Sequence, residues 1–419
     1  MRAVRLARGW WAGWSQRLEG EVLIVLLSRV VSAVAGLVFV VITARHLGPA
    51  GRGEIVLAFT IAWATVFIAN LGTPISGRIR LLKPEDPVGP RDVLSLTLAL
   101  VPFQALLVLA VVGLISLTSM NLTGGFSLAL GALALTTMVF HSAVYVLYGL
   151  RRYRVVLVAE VAIAIVEVTA VVVLLLGGWL TTISAVLTMA MGSALGGIWL
   201  IGRARDLHKK VGHGPAAYWR ALIVDGFYPM LGEIAMFIAL RLDRVVLAVA
   251  AGADSLGLYT VALAIPETLR ILPRAFGQVI ADRGRSGLEP AAAVRRRGRD
   301  FVAGHVLVLA AAVAIGWMVL PLVFGEGFRE ARDVLLFVAI AEALLSIHFM
   351  YQALLMGFGR FRGIGWPQIV GGIVMVILNV VLIPIWGIWG AVWACIIGYG
   401  ALAAISASWA HRELQRLEP

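Results

Sequence analysis

Long apolar runs separated by short polar stretches make up nearly the whole sequence. A membrane-spanning helix needs about 20 mostly apolar residues, and we find twelve runs of that kind. The alternation typical of membrane β-barrels is absent, so the runs predict transmembrane α-helices. They cover residues 20–44, 55–77, 93–117, 127–149, 155–176, 181–202, 221–251, 255–281, 300–324, 331–357, 363–386 and 388–410.

The composition indicates a bilayer as the solvent. Of the 419 residues, 61% are hydrophobic and 14% are charged, whereas about a quarter of a soluble domain is charged. A compact water-soluble fold has too little interior to hide this much hydrocarbon. The single cysteine, Cys395, excludes an intramolecular disulfide and argues against a thiolate metal site. We therefore expect neither a metal nor a cofactor.

Basic residues concentrate in alternate gaps between the predicted helices. Four arginines precede the first helix and six follow the eighth, whereas the odd-numbered gaps are short and contain few cations. Because cytoplasmic loops carry the excess of lysine and arginine, both termini are predicted to be cytoplasmic. The same pattern accounts for most of the net charge of +12. A nucleic-acid partner is therefore not needed to explain that charge.

Two stretches offset by 204 residues indicate an internal repeat. Residues 48–61 and 252–265 share four identities, at Gly48/Gly252, Gly53/Gly257, Ala58/Ala262 and Ile61/Ile265. Each stretch is predicted to be a short outer turn that opens an even-numbered helix. The repeat predicts two parallel six-helix bundles related by an axis along the membrane normal, an arrangement typical of alternating-access transporters. A scaffold that arose by duplication is the alternative.

The fold class that follows is an all-α integral membrane protein with about twelve transmembrane helices in two pseudo-symmetric bundles. The N-terminal bundle comprises residues 20–202, and the C-terminal bundle comprises residues 221–410. A basic cytoplasmic linker, 203–220, connects them, and a cytoplasmic tail covers 411–419. Residues 1–19 are predicted to be an interfacial helix on the cytoplasmic leaflet, or else a disordered basic tail.

Five arginines within the apolar runs are candidate substrate-binding residues. A charge at mid-bilayer costs roughly 2.5–3.5 kcal/mol on insertion scales, so its presence indicates function or a compensating partner. Structural pairing remains an alternative for the arginines near 241–244, and snorkelling to the interface remains one for those near 270–274. The cations favour an anionic substrate, since arginine holds phosphate with a fork of donors. The five are Arg29, Arg241, Arg244, Arg270 and Arg274.

Four glutamates in the runs are candidate ion-coupling sites, namely Glu160, Glu167, Glu233 and Glu342. Each is a potential proton site, and the sequence does not choose among them. The histidines of the fourth and tenth helices, His141 and His348, are interpreted as packed, hydrogen-bonded side chains and not as ligands.

Several short motifs, in order and spacing, resemble those of the polysaccharide transporters, the Wzx-type lipid-linked oligosaccharide flippases of the multidrug/oligosaccharidyl-lipid/polysaccharide (MOP) exporter superfamily. The motifs are Leu27-Ser-Arg29, Ala44-Arg-His-Leu-Gly-Pro49, Arg241-Leu-Asp-Arg244, Gly257-Leu-Tyr259, Phe324-Gly325, Leu378-Asn-Val-Val-Leu-Ile-Pro384 and Gly387-Ile-Trp-Gly-Ala391.

The resemblance implies a V-shaped pair of bundles in the bacterial plasma membrane. It implies that a glycan linked to undecaprenyl pyrophosphate passes from the inner to the outer leaflet. We expect a monomer, surrounded by membrane lipids, with a polysaccharide polymerase or glycosyltransferase as a functional partner.

The sequence fits two related transporter classes, an enzyme and a channel less well. The Ser28-Arg29-Val30 start also resembles the lipid II flippase MurJ, but a further Arg-Asp pair of that protein is replaced here by Ala35 and Gly36. Multidrug exporters of the same superfamily favour acidic sites in the first bundle, where this chain has arginine. An enzyme is not expected, because the chain has no Asp-x-Asp motif and its outer loops are about ten residues or shorter. A channel is not expected either, since no pore-loop pattern repeats.

Overall fold

A computed structural model describes residues 20–83, 85–117, 122–206, 216, 218–274, 276–277, 291–357 and 362–415. Within these ranges the chain is helical and contains no β-strand. The predicted N-terminal segment, 1–19, lies outside them, as does most of the predicted linker. The helices are α1 (Gly20–Ala69), α2 (Thr73–Leu81), α3 (Pro90–Ser116), α4 (Gly124–Gly149), α5 (Tyr153–Leu176), α6 (Thr182–Asp206), α7 (Trp219–Leu269), α8 (Ala291–Phe324), α9 (Ala331–Gly357), α10 (Arg362–Trp386) and α11 (Ile388–Gln415).

The outer surface of the helix assembly is apolar, as a bilayer requires. The most apolar window of α3 has a mean hydropathy of 2.6 and is only 17% buried, and that of α10 has the same hydropathy and is 22% buried. Within the described residues, nine helices are long and apolar enough to cross a membrane. The chain is therefore a multi-pass membrane protein, and the count of twelve crossings stays a prediction.

Two helices are about twice the usual length, and each occupies the place of two predicted crossings. α1 has 50 residues and bends at Gly48, while α7 has 51 residues and bends at Gly252. The separate helices and the turn predicted at these places are present, in a tighter form than a loop. A single glycine with non-helical backbone and positive φ, 69° at Gly48 and 86° at Gly252, divides each element into two helical arms and redirects the chain. Glycine permits this because it has no Cβ to clash in the left-handed region.

The cytoplasmic ends of the second and eighth predicted crossings also differ from expectation. The second crossing was predicted to reach residue 77, but α1 ends at Ala69 and the short helix α2 follows a turn at Gly72, where φ is 68°. The eighth was predicted to reach residue 281, but α7 ends at Leu269, three residues after Pro266. Proline removes a helical hydrogen bond, so an interruption between Pro266 and Pro273 follows from the sequence.

The two halves repeat the same packing. In the N-terminal half α4 packs on α6, α5 on α6, and α3 on α4. In the C-terminal half α9 packs on α11, α10 on α11, and α8 on α9. The repeat inferred from four identities therefore extends over both bundles.

The halves meet along α1 and α7. At the end predicted to face outward, a Cβ built on Gly53 would lie 1.8 Å from the carbonyl oxygen of Ala253, and one on Gly257 would lie 1.9 Å from that of Pro49. The two contacts are related by the 204-residue offset. They close this end by packing backbone against backbone.

A second contact joins the halves at the opposite end, which is predicted to be cytoplasmic. A Cβ on Gly72 would lie 1.9 Å from the carbonyl oxygen of Gly226. Nearby, Arg80 of α2 donates to the Asp225 carboxylate of α7 from Nε at 3.0 Å and from a terminal nitrogen at 2.7 Å. This hydrogen bond raises the pKa of Arg80, so the cation persists at all physiological pH values.

Candidate functional site

Three of the predicted arginines converge on one carboxylate, that of Glu267 in α7. Arg241 donates to both Glu267 oxygens at 3.2 Å, and Arg244 donates to Glu267 Oε1. Arg270 lies 3.5 Å from the same oxygen. The fold of α7 brings them together, because the bend at Gly252 lays residues 241–244 beside residues 267–270. We call Arg241, Arg244, Arg270 and Glu267 the arginine cluster.

Arg270 also links the cluster to α9. It donates to both oxygens of Glu342, from Nε at 2.5 Å and from a terminal nitrogen. Glu342 is 2% exposed, and Arg270 is 7% exposed. Glu342, a candidate ion-coupling site in the sequence, thus lies in a buried bidentate ion pair. A charge at this depth requires such a partner, since an isolated buried carboxylate is costly.

In the described part of the chain, Asp243 forms no salt bridge with its neighbours in sequence. It accepts a hydrogen bond of 2.6 Å from the Tyr259 hydroxyl and one of 2.9 Å from the backbone of Arg244. The salt-bridge partner of Arg241 and Arg244 is Glu267, on the other arm of α7. Structural pairing of these arginines, the alternative given by the sequence, thus involves Glu267.

Arg274 differs from the cluster in its surroundings. It is an exposed side chain that lies over the Phe349 ring, 5.2 Å from its centroid. This position suits an entrance, where a charge keeps part of its hydration. The side chain of Arg29, the fifth predicted arginine, lies outside the described residues, although its backbone belongs to α1.

The remaining predicted carboxylates are dispersed. Glu233 of α7 accepts a 3.3 Å hydrogen bond from the Tyr145 hydroxyl of α4, so it joins the two halves. Glu167 of α5 faces α6, where a Cβ on Gly192 would lie 2.8 Å from its Oε1. Glu160 lies two turns before it on the same helix and is partly buried. These three do not share a site with the arginine cluster.

The two histidines are packed and hydrogen-bonded, as predicted. His141 Nδ1 lies 3.3 Å from Asn70 Nδ2, and the ring packs edge-on against Trp63. His348 Nδ1 lies 2.8 Å from the Ser406 hydroxyl.

One residue of the site was missed by the sequence analysis. Arg52 was counted among the few cations of the outer gaps, but its side chain lines a cavity of about 320 Å³ between the halves. We call this space the outer cavity. Its lining residues are Gly36, Leu37, Val40, Arg52, Arg244, Thr260, Ala264, Glu267 and Thr268. The bend at Gly48 turns Arg52 inward, and apolar periodicity alone does not reveal such a bend.

The charge in and beside the outer cavity is unbalanced. In the described part of the chain, the outer cavity and the arginine cluster with its neighbours contain five arginines and three carboxylates. The arginines are Arg52, Arg241, Arg244, Arg270 and Arg274, and the carboxylates are Asp243, Glu267 and Glu342. Guanidinium groups around a low-dielectric cavity can bind an anion through several N–H donors at once.

A family model described as "Polysaccharide biosynthesis protein" matches residues 20–272, which is more than half of the chain. The chain belongs to this family. The matched residues include α1, with Arg52, and all of α7, so they contain both sides of the outer cavity. No curated protein matches the sequence.

Solved structures of the MOP superfamily share the fold of this family member. An inward-facing multidrug resistance MATE transporter aligns with a TM-score of 0.73 and 15% identity, covering 92% of this chain and 95% of that one. The lipid II flippase MurJ, in an inward closed conformation, aligns with a TM-score of 0.70 and 12% identity, covering 94% and 87%.

A third structure, of a MOP superfamily transporter from Pyrococcus furiosus, was described as having a binding pocket of reverse polarity that suggests a different function. It aligns with a TM-score of 0.60 and 16% identity, covering 95% of each chain. At these identities the alignments show the fold alone. The protein is thus a polysaccharide biosynthesis family member with a MOP transporter fold.

Proposed function

We propose that the protein moves a lipid-linked oligosaccharide, with undecaprenyl pyrophosphate as the carrier, from the inner to the outer leaflet of the bacterial plasma membrane. It does so by alternating access between its two halves, with no covalent chemistry, and it supplies cell-surface polysaccharide biosynthesis. Both termini are cytoplasmic, and the working unit is a monomer. Glycosyltransferases on the cytoplasmic side and a polymerase on the outer side are its functional partners.

The excess of arginine in and beside the outer cavity carries this proposal. A pyrophosphate that leaves water for the membrane interior loses its hydration, and the crossing is prohibitive unless fixed donors replace it. Five arginines at different depths provide such donors. Arginine suits the task because its planar fork binds two phosphate oxygens at once and stays charged when buried.

The ion pairs of the arginine cluster allow a pyrophosphate to share the arginine donors with Glu267. Glu267 contacts Arg241, Arg244 and Arg270, so one carboxylate serves three cations. An arriving pyrophosphate can share these donors with Glu267 without leaving a buried charge unpaired. After the headgroup departs, Glu267 and Glu342 again neutralise the cluster, so the empty transporter can return.

The seam between α1 and α7 supports alternating access. The glycine contacts at Gly53 and Gly257 close the outer end through backbone packing, which has no interlocked side chains to disentangle. Separation of the halves there opens the cavity to the outside, with rocking of the two bundles as the expected motion.

The charge of the cavity also argues against export of cationic drugs. The excess of arginine repels a cation, and the Pyrococcus furiosus relative offers a precedent for a pocket of reversed polarity within this fold. Transport of the peptidoglycan precursor, lipid II, involves the same pyrophosphate chemistry, so the glycan must be distinguished by experiment.

The proposal is tested by complementation in a bacterial host that lacks its own lipid-linked oligosaccharide flippase. The wild-type chain should restore surface polysaccharide, while Arg241→Ala should reduce it at least tenfold at equal membrane levels on an immunoblot. Arg329→Gln is the matched control, because Arg329 is an exposed arginine whose ion pair, within the described residues, is with Glu326. Restoration by Arg241→Ala at the wild-type level, or rescue of a lipid II flippase deficiency alone, would contradict the proposal.

A further inference from the structure

A groove runs along the contact between α8 and α9, away from the outer cavity. It consists of two adjoining cavities, one of about 490 Å³ and one of about 580 Å³. The first lies between residues 295–302 of α8 and 347–354 of α9, and the second lies between 306–318 and 336–343 of the same two helices. Because α9 runs back along α8, the second cavity continues the first. We call the two together the α8–α9 groove.

The groove begins at the end of the molecule that is predicted to be cytoplasmic. Just beyond the far end of α8, a Cβ built on Gly327 would lie 3.6 Å from the ring of Pro49. Pro49 follows directly on the bend at Gly48, which is predicted to face outward. The start of α8, with the first cavity, is therefore at the opposite surface.

The length of the groove matches the thickness of a bilayer. Trp317 lines the second cavity, and the guanidinium of Arg332 lies over its ring, 4.8 Å from the centroid. Tryptophan is enriched at membrane–water interfaces. The helix from Arg299 to Trp317 is about 27 Å long, which is close to the hydrocarbon thickness of about 30 Å.

The cytoplasmic end of the groove is cationic. Three arginines line the first cavity, namely Arg295, Arg296 and Arg299, which we call the groove arginines. In the described part of the chain, no carboxylate lines this cavity. Asp300 lies 4.0 Å from Arg296 Nε and 3.8 Å from Arg299 Nε, but these side chains are largely exposed. Exposed ion pairs of this kind are weak, so they do not prevent the two arginines from binding an anion.

The rest of the groove is apolar and open to lipid. Val302, Met350 and Leu354 line the first cavity beside the arginines, and the described lining of the second cavity contains no charged side chain. Leu336 and Ile340, which line the second cavity, are about half exposed. A cationic end followed by a long apolar wall has the polarity of a phospholipid, with its anionic headgroup at the interface and its acyl chains in the membrane.

An apolar groove alone does not select a lipid. The groove between α5 and α6, of about 410 Å³, is lined within the described residues by apolar side chains and glycines only. Any pair of lipid-facing helices can form such a groove. The α8–α9 groove differs because three guanidinium groups converge on one end of it, and basic pockets between helices on the cytoplasmic side suit anionic headgroups.

We infer that the α8–α9 groove binds an anionic glycerophospholipid of the cytoplasmic leaflet. The groove arginines bind the phosphate, and the acyl chains lie along α8 from Val302 onward. The lipid fills the space between α8 and α9, so it stabilises the C-terminal half against thermal unfolding. The inference goes beyond the proposed function, since this lipid is a bound component of the membrane and not the transported molecule.

Gly298 allows the groove to be blocked without a change of charge. It lies among the groove arginines and lines the first cavity, and nothing lies within 4 Å of a Cβ built on it. A leucine therefore fits at this position of the helix, but its side chain occupies the space that the lipid needs. Gly298→Leu keeps all three arginines, so it separates binding in the groove from general attraction between a basic surface and an anionic lipid.

The test is a lipid titration of the full-length protein in detergent, followed by native mass spectrometry. Dioleoyl phosphatidylglycerol is compared with dioleoyl phosphatidylcholine, which has the same chains and a zwitterionic headgroup. The wild type should bind the anionic lipid at least tenfold more tightly, and that lipid should raise its melting temperature. Gly298→Leu should lose this preference and the thermal stabilisation.

A triple variant tests the charge. Arg295→Gln, Arg296→Gln and Arg299→Gln together should weaken phosphatidylglycerol binding at least tenfold. The matched control removes three exposed arginines from another gap that is predicted to be cytoplasmic, through Arg151→Gln, Arg152→Gln and Arg154→Gln. This control should bind the lipid as the wild type does.

Three results would overturn the inference. One is equal affinity of the wild type for the two phospholipids, and another is equal weakening by the two triple variants. The third comes from a parallel titration with undecaprenyl pyrophosphate. If Gly298→Leu weakens binding of that lipid as much as binding of phosphatidylglycerol, the groove belongs to the prenyl carrier and not to a phospholipid. Each result is obtained without a transport assay, so failure of the site is distinguishable from failure of the proposed function.

Discussion

Gly53 packs so closely on Ala253 that a side chain of any size would collide with the backbone there. The Cβ of an alanine at Gly53 would lie 1.8 Å from the Ala253 carbonyl oxygen. This oxygen belongs to the main chain of α7 and cannot rotate away as a side chain can. The contact and its repeat-related partner, Gly257 on Pro49, define how tightly the outer end closes.

Substitution of Gly53 by alanine should therefore open the outer end. One extra methyl in a tight contact typically destabilises the packed structure by about 1–3 kcal/mol. Separation of α1 from α7 at this point would remove the clash between the methyl and the Ala253 carbonyl. We expect a lower melting temperature in detergent and a greater distance between spin labels on the outer ends of α1 and α7. Gly113→Ala is the control, because nothing lies within 4 Å of a Cβ at that position. Equal melting temperatures for both variants would argue against a closed seam.

Most of the fold could be predicted from the sequence. Apolar runs of membrane length and the alternation of basic gaps depend on local composition, and the repeat was visible in four identities between Gly48–Ile61 and Gly252–Ile265. The turns predicted at these two stretches are present as one-residue bends. Their tightness was not predictable, because a glycine between two apolar runs is compatible with either a loop or a bend.

The candidate site was predictable only in part. Arg241, Arg244 and Arg270 stood out as charges within apolar runs, yet their partners could not be assigned. The pairing of Arg270 with Glu342 joins helices 72 residues apart in sequence, and no periodicity encodes it. Arg52 was missed for a related reason, since its inward direction follows from the bend at Gly48.

The Arg270–Glu342 ion pair should be essential for stability. Removal of one partner leaves a buried charge without compensation, which typically costs about 3–5 kcal/mol. Arg270→Met and Glu342→Leu should each destabilise the protein strongly in detergent denaturation, and the double variant should recover most of the loss. Additive losses in the double variant would show that the two side chains do not depend on each other.

Arg274 and Arg29 should differ in their tolerance of lysine. Arg274 is exposed and lies over the Phe349 ring, so a lysine keeps the charge and the ring contact. Arg29 is predicted from the sequence to lie deep in the first helix, where the planar fork matters because few waters complete the hydration shell. In the complementation assay we expect Arg274→Lys to retain export and Arg29→Lys to lose it. Normal export by the Arg29→Ala variant would contradict a role for Arg29 in substrate binding.

Reporter fusions can test the predicted topology. Fusions at Gly124, Gly178 and Gly252 should be located outside, and fusions at Gly89, Gly212 and Gly287 should be located in the cytoplasm, because basic gaps remain inside. The bends at Gly48 and Gly252 agree with outer positions, since both lie at the end of the seam opposite Arg80 and Asp225. A reversed signal at two or more of the six sites would reject cytoplasmic termini.

Transport by the purified protein tests most directly whether the arginines in and beside the outer cavity move a pyrophosphate-linked glycan across the membrane. Proteoliposomes would contain a fluorescent undecaprenyl-pyrophosphate oligosaccharide, and the measured quantity is the rate at which the glycan becomes accessible to an enzyme added outside. The account predicts rapid exposure with the wild type, a rate at least tenfold lower with Arg241→Ala, and an unchanged rate with Arg329→Gln. A wild-type rate no faster than that of protein-free liposomes, or equal rates for the wild type and Arg241→Ala, would contradict it.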